Sequence, residues 1–234
     1  MSDRLIVALD HPARDAALAQ VDALGGAVSR YKVGLELYIS EGVEIVRALI
    51  HRRKRVFLDL KLNDIPETVL RATRVISGMN VDLMTVHASG GKAMMRAAVE
   101  GAGTHTRVLA VTVLTSLDAE DLKADGSSLE STEELVVRRA LLAKDAGCAG
   151  VIASALEAAA VRQAVGKNFL IVTPGVRRSD KAPVANVASI DDQKRVATPR
   201  AARAAGADAV VVGRPIRDAQ NPLDEVQKII AELE

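Results

Sequence analysis

Aromatic residues and cysteine are almost missing from this chain of 234 residues. Phe, Tyr and Trp together make up 2% of the sequence, Trp is absent, and Cys148 is the single cysteine. One cysteine excludes an intrachain disulfide framework and a metal site built from several cysteines. We expect Cys148, which stands next to a predicted strand, to be a small buried residue.

The chain also lacks an excess of charge of either sign and any long apolar run. Lys and Arg number 31 against 30 for Asp and Glu, which gives a formal net charge of +1. This balance provides no broad field for nucleic acid or an anionic membrane, so any recognition of phosphate must be local. No apolar run approaches the roughly 18 residues of a membrane span, and no signal peptide is recognisable at Met1. We expect a cytoplasmic protein with neither nucleic acid nor membrane as a partner.

Aliphatic residues are abundant, and short apolar runs alternate with amphipathic segments along the whole chain. Hydrophobic residues make up 49% of the sequence, enough for a sizeable core of Ala, Val, Leu and Ile. The predicted strands are Leu5–Leu9, Tyr31–Gly34, Val56–Leu60, Asp82–Val86, Val108–Val113, Gly150–Ala153, Leu170–Val172 and Ala209–Val212. The predicted helices are Ala13–Leu24, Gly42–Arg52, Glu67–Gly78, Gly91–Glu100, Glu133–Asp145, Leu156–Val165, Thr198–Ala205 and Leu223–Glu232.

Eight alternating strand–helix pairs predict an α/β fold, a single (β/α)8 TIM barrel that forms one domain over residues 1–234. An open doubly wound sheet is the alternative, and a glycine-rich turn after the first strand would favour it. The turn at Asp10–Ala13 contains no glycine. Two long connections, Thr115–Ser131 and Gly175–Ala197, follow strand ends on the face where barrel active sites lie, and are predicted to be lids or binding loops.

The most informative segment is the third predicted strand and its continuation to Thr68. Side chains alternate faces along a strand, so Phe57, Asp59 and Lys61 would point into the barrel near its mouth. Two buried charges are costly unless they are paired. They are therefore either a structural ion pair or part of a functional site.

Two further strands carry a charge towards the same mouth. Lys32 lies on the face opposite its apolar neighbours, and Asp10 ends the first strand. Convergence of charges from three neighbouring strands indicates a site. Asp64 has another interpretation, because Asp-Ile-Pro-Glu has the form of a helix N-cap. His87, at the end of the fourth strand, is interpreted as a structural neighbour of the site.

Seven short pieces of the sequence, in order along nearly its whole length, form a specific pattern. They are Val7–Asp10, Lys32–Gly34, Asp59–Thr68, Val86–Ala88, Val113–Ser116, Thr173–Arg177 and Val212–Pro215. Together they resemble the orotidine 5′-monophosphate decarboxylase family in its bacterial form. The Asp-x-Lys-x-x-Asp core alone is less specific, because a wider superfamily shares it.

The resemblance implies an enzyme without cofactor or metal that converts orotidine 5′-monophosphate to uridine 5′-monophosphate and CO2 in de novo pyrimidine biosynthesis. It implies that the catalytic residues form an alternating network of charges: Lys32, Asp59, Lys61 and Asp64. Lys61 would stabilise and protonate a carbanion at C6. A homodimer is also implied, in which Asp64 and Thr68 reach the partner's site.

The resemblance further implies which residues hold the nucleoside. Asp10 and Thr68 would bind the ribose hydroxyls, with Lys32 nearby. Thr115 or Ser116 would contact the pyrimidine, and the resemblance does not separate the two.

Residues near the last two strands would hold the 5′-phosphate. The resemblance implies Arg177, Gln193 and Arg214, with the backbone of Gly213 close by, and a closing lid over Arg177–Arg195. General barrel architecture supports this placement independently, because phosphate sites recur after strands 7 and 8.

Two other functions stay open. A related superfamily decarboxylase or aldolase acting on a sugar phosphate would hold magnesium through an acidic residue on the second strand. Lys32 stands there instead, and an ammonium group cannot ligate a cation. A non-catalytic nucleotide-binding barrel is the second alternative, although all the charges of the network are present.

Overall fold

The computed structural model describes residues 3–124, 131–178 and 197–234. Parallel strands form a closed barrel in sequence order, and the last strand pairs with the first through Leu5 and Val210. The strands are β1 (Leu5–Ala8), β2 (Arg30–Val33), β3 (Arg55–Leu62), β4 (Leu83–His87), β5 (Arg107–Val111), β6 (Gly150–Ile152), β7 (Leu170–Thr173) and β8 (Ala209–Val212). The predicted (β/α)8 barrel is confirmed, and the open doubly wound sheet is excluded.

Helices connect the strands and cover the outside of the barrel. In the described residues they are α1 (Arg14–Leu24), α2 (Leu35–Glu41), α3 (Val43–His51), α4 (Pro66–Ser77), α5 (Gly91–Ala102), α6 (Ala119–Ala124), α7 (Thr132–Asp145), α8 (Ala158–Val165), α9 (Pro199–Ala204), α10 (Arg214–Arg217) and α11 (Pro222–Leu233). None of these helices is long and apolar enough to cross a membrane. Each predicted helix is present, with ends that differ by at most two residues from the prediction.

The sequence prediction missed three short helices, α2, α6 and α10. The longest of them has seven residues, too few for a periodic apolar face to stand out from the sequence. α6 lies within the Thr115–Ser131 connection, so the described part of that connection is not a simple loop.

Two apolar layers hold the barrel together. The larger layer lies between the strands and the helices and includes the outward faces of β1 to β8. The smaller layer fills the barrel interior with Ile6, Ala8, Phe57, Leu83, Leu109, Val172, Ala209 and Val211. This plug closes the barrel below its C-terminal mouth, so the polar interior positions are confined to the two ends.

The opposite end of the barrel carries a charge cluster of its own. The carboxylate of Asp82 accepts hydrogen bonds from Arg30 Nε at 2.7 Å and from an Arg107 guanidinium nitrogen at 2.6 Å. Burial is the main cause that lowers the pKa of Arg30, and the charge of Asp82 opposes it. One carboxylate thus joins β2 and β5 across the start of β4.

Candidate active site

A cavity of about 310 Å³ opens at the C-terminal mouth of the barrel, within the size range of small-molecule sites. Most of the predicted site residues line it: Asp10, Lys32, Asp59, Lys61, Thr115, Ser116, Arg177, Gly213 and Arg214. Its apolar wall, including Phe57, Val111, Val113 and Ile152, was not predicted as part of the site. Alternation along the strands placed Phe57 inside the barrel, but pattern alone does not distinguish an interior residue from one that borders a ligand.

The charges at the mouth form one connected network. Lys32 Nζ lies 3.3 Å from Asp10 Oδ1 and 3.7 Å from Asp59 Oδ2. Lys61 Nζ lies 2.9 Å from the same Asp59 oxygen. Two ammonium groups therefore share one carboxylate oxygen, and Lys61 keeps 29% of its side chain exposed towards the cavity. A ligand in the cavity could therefore contact the Lys61 ammonium group, which would not be so in a structural ion pair that is fully buried.

Asp59 is ionised in spite of its burial. Desolvation raises the pKa of a buried carboxyl and is the largest single influence here. The charges of Lys32 and Lys61, with hydrogen bonds from Lys61 and Thr85, together outweigh it and hold the pKa of Asp59 below its ordinary value of 3.8. The site thus presents a fixed negative charge beside a fixed positive one.

β3 does not keep the regular alternation that the sequence predicted for it. Leu58 pairs with Met84 and Leu62 pairs with Val86, so four steps on β3 match two on β4. Lys61 lies in this bulge with a φ of 52°, in the left-handed region that residues with a side chain rarely adopt. Bulges next to active sites turn a side chain in a new direction, and here Lys61 faces the cavity.

The far side of the cavity is formed by the ends of β7 and β8. Arg177 and Arg214 both line it. A backbone bridge fixes Arg177, whose N–H donates to Ala197 O at 2.9 Å. Gln193 and residues 179–196 of the predicted lid lie outside the described residues.

Gly213 allows β8 to pass close to the end of β1. A Cβ atom at this position would lie 2.7 Å from Asp10 Oδ2 and 3.3 Å from the Ala8 side chain. Any larger residue would therefore displace the Asp10 carboxylate. The glycine keeps Asp10 and the end of β8 in contact.

Asp64 and Thr68 are exposed and do not line the cavity of their own chain. The interpretation of Asp64 as a helix cap is wrong, because the N-cap of α4 is Ile65, without a side-chain cap bond. Asp64 stands one residue earlier, and its Oδ1 accepts from the Ile65 N–H at 2.6 Å.

His87 and Cys148 lie outside the lining of the cavity. Burial, and then the charges of Lys61 and Arg139, lower the pKa of His87 below its ordinary value of 6.5. His87 is therefore neutral at neutral pH. Cys148 is buried as predicted, and burial raises its pKa to about 12, which makes it a poor nucleophile.

Comparison with known proteins agrees with this geometry. The sequence profile of the orotidine 5′-phosphate decarboxylase / HUMPS family matches residues 3–229. A protein of Anaeromyxobacter sp. (strain K) named orotidine 5′-phosphate decarboxylase is 50% identical over 99% of each chain. One of that name from Methylobacterium radiotolerans is 47% identical over 99% of this chain and 96% of its own.

A solved structure shows that the likeness extends to three dimensions. The crystal structure of orotidine 5′-phosphate decarboxylase from Lactobacillus acidophilus superposes with a TM-score of 0.84 at 33% identity, and covers 99% of this chain and all of that one. The barrel, the charges at its mouth and the match over nearly the full length agree, and the chain belongs to the orotidine 5′-phosphate decarboxylase / HUMPS family.

Proposed function

We propose that the chain decarboxylates orotidine 5′-monophosphate to uridine 5′-monophosphate and CO2 in de novo pyrimidine biosynthesis. The names of its relatives support this reaction. The observation that carries the proposal is the Lys61 ammonium, held 2.9 Å from an ionised Asp59 within the cavity that Arg177 and Arg214 also line. A cytoplasmic location stays a prediction.

Lys61 is the proposed proton donor. The bond between C6 and the carboxylate carbon breaks, its electron pair stays on C6, and CO2 leaves. The ammonium stabilises this negative charge and then gives a proton to C6, after which Lys61 regains a proton from solvent. A charge already held in place by Asp59 needs no reorganisation when the carbanion forms.

Asp59 and Lys32 would set the electrostatics around that step. Asp59 would lie beside the carboxylate of the substrate, where their repulsion disfavours the bound ground state. Lys32, within 4 Å of both Asp10 and Asp59, would keep Asp59 ionised and both carboxylates oriented. Both roles follow from charges that are in place in the free protein.

Substrate binding would use the rest of the cavity wall. Asp10 would hold a ribose hydroxyl, and Thr115 or Ser116 would contact the pyrimidine. Arg177 and Arg214 would bind the 5′-phosphate, since guanidinium groups match its geometry. Gly213 would bring its backbone close to that phosphate, and Gln193, outside the described residues, is proposed as the third phosphate ligand.

A homodimer would complete the site. Asp64 and Thr68 are exposed at the same end of the barrel as the cavity but do not line it. Two large apolar side chains are also exposed: Ile65, next to Asp64 in the sequence, is 67% accessible, and Ile39 on α2 is 78% accessible. Burial of these side chains against a second copy would favour association, and that copy would bring its Asp64 and Thr68 to the cavity.

The magnesium-dependent alternative is disfavoured by the position of Lys32. Its ammonium group lies between two carboxylates that a divalent cation would otherwise approach. Within residues 3–124, 131–178 and 197–234, no three His, Cys, Asp or Glu side chains cluster as metal ligands. A requirement for magnesium would favour this alternative, and nucleotide binding without turnover would favour a non-catalytic barrel.

The proposal is tested by measuring uridine 5′-monophosphate and CO2 formed from orotidine 5′-monophosphate. We expect Lys61→Ala to lose nearly all turnover, as general acids contribute about 10²–10⁴-fold and charge stabilisation adds to this. Lys92→Ala is the matched control, because Lys92 is a lysine paired with Asp145 and does not line the cavity. Near-normal turnover by Lys61→Ala would refute the role of Lys61.

A further inference from the structure

Thr85 is a fully buried residue of β4 on the interior face of the barrel, between Leu83 and His87. It does not line the cavity. Its hydroxyl nevertheless touches two parts of the charge network. Thr85 Oγ1 donates a hydrogen bond to Asp59 Oδ1 at 2.9 Å and accepts one from the Lys61 backbone N–H, also at 2.9 Å.

The direction of these two bonds is fixed by chemistry. A backbone N–H can only donate, and an ionised carboxylate can only accept. The hydroxyl between them must therefore accept from Lys61 and donate to Asp59. Since Lys61 Nζ also donates to Asp59, at Oδ2, the contacts close a ring in which both the backbone and the side chain of Lys61 are tied to one carboxylate.

The bulge in β3 explains why such a tie is needed. Between Leu58 and Leu62 the ladder to β4 is interrupted, and Lys61 has a left-handed backbone. An unpaired buried N–H costs about 1–3 kcal/mol, and a residue in a sparsely populated backbone region costs a similar amount. The Thr85 hydroxyl takes the place of the missing strand partner.

We propose that Thr85 is a positioning residue for the decarboxylation, which fixes the Lys61 bulge and the Asp59 carboxylate in one geometry. It touches no substrate and acts through the two residues that do. The inference rests on the proposed function for its kinetic test, and on structure alone for its spectroscopic test.

The kinetic test compares Thr85→Val, which keeps the shape and removes the hydroxyl, with Thr85→Ser, which keeps the hydroxyl. We expect Thr85→Val to lower kcat by about 10–100-fold, as small misplacements of catalytic groups do. KM should change by less than about twofold, because the nucleotide-binding residues stay in place. Thr85→Ser should return kcat to within about threefold of the wild type, since the hydroxyl can make both bonds.

Thr106→Val is the matched control. Thr106 is another buried threonine, and its hydroxyl donates to Val81 O at 2.9 Å, just before β5 begins and away from the mouth. This variant should lose stability without losing kcat. Equal losses of kcat in Thr106→Val and Thr85→Val would show a general structural effect and overturn the proposal.

Hydrogen exchange of the Lys61 amide, followed by NMR, gives a readout that needs no activity. Exchange should speed up in Thr85→Val and stay slow in Thr85→Ser and Thr106→Val. If Thr85→Val does not fold, Thr85→Cys replaces it under the same criteria, because a thiol is a weak donor and acceptor.

The outcomes separate the two claims. An inactive wild type would refute the proposed function, and amide exchange would still test Thr85. An active wild type with undiminished kcat in Thr85→Val, or with Thr85→Ser as impaired as Thr85→Val, would overturn the role of Thr85 alone.

Discussion

Asp59 has a low pKa because two ammonium groups and two hydrogen bonds outweigh its burial. The substitution Lys32→Met removes one of those positive charges, whereas the Asp59 carboxylate stays buried. We expect the pKa of Asp59 to rise, and the acid limb of the kcat/KM profile to move to higher pH. Titration of the Asp59 carboxyl carbon by NMR measures the first effect directly.

Lys92→Met is the control for this titration, because Lys92 pairs with Asp145 on the surface. It should leave the pKa of Asp59 unchanged. An Asp59 pKa that is the same in Lys32→Met and in the wild type would contradict the electrostatic coupling between β2 and β3.

His87 should make stability depend on pH. Burial and nearby cations keep its folded pKa below the ordinary value of 6.5. His87 therefore binds a proton more readily in the unfolded chain than in the folded one. As a result, the free energy of unfolding falls as pH decreases below 6.5. Urea unfolding between pH about 5 and about 7 should show this slope in the wild type and a shallower one in His87→Asn.

His51→Asn is the comparison for His87, because His51 is an exposed histidine at the end of α3. It should keep the wild-type slope. If both variants kept that slope, His87 would not be the group that links protons to folding.

For individual residues, the alternation of side chains along strands was enough to predict that Asp10, Lys32 and Asp59 lie at the mouth of the barrel. It failed for Thr85, because the role of that hydroxyl depends on a bulge in the neighbouring strand. It also could not show that Asp64 lies outside the cavity of its own chain, since exposure depends on the packing of α4.

Among the elements, the N-terminal ends of β2 and β5 and the start of β4 are joined by the cluster of Arg30, Asp82 and Arg107. Asp82→Asn would leave two guanidinium groups close together without their counter-charge. We expect this variant to lose about 1–3 kcal/mol of unfolding free energy, less than for a fully buried ion pair, because the Arg107 side chain is 42% exposed. Its kcat should stay unchanged, because the cluster lies at the opposite end of the barrel from the cavity.

Denaturant titration of Asp82→Asn and of Asp145→Asn measures this difference. Asp145 forms an exposed pair with Lys92, and such surface pairs contribute little. A similar small loss in both variants would contradict the structural importance of the part-buried cluster.

The strands and long helices could be predicted from the sequence, whereas the short helices could not. Each strand is an apolar run that the barrel buries, so composition and spacing reveal it. α2, α6 and α10 are short and depend on contacts with the rest of the fold. The bulge of β3 was not predictable either, because the apolar residues around Lys61 continue to alternate across it in the sequence.

At the scale of the whole molecule, the proposed dimer predicts complementation. Lys61→Ala and Asp64→Ala should each be inactive alone. A mixture allowed to exchange subunits should recover up to about a quarter of the wild-type activity, because half of the dimers are hybrids and one site in each hybrid is intact. The measurement is turnover of the mixture after reversible dissociation.

Mixing each variant with itself under the same treatment is the control. Absence of recovery in a mixture that forms hybrid dimers would show that Asp64 acts within its own chain. Closure of Asp64 onto its own cavity would then have to follow substrate binding.

The loss of orotate absorbance, when purified protein is mixed with orotidine 5′-monophosphate and excess chelator, distinguishes the proposed decarboxylation from its magnesium-dependent alternative. We expect the signal to disappear with uridine 5′-monophosphate as the product, at a rate that added magnesium does not change. No loss of signal with chelator, together with magnesium-dependent turnover of a sugar phosphate, would contradict it.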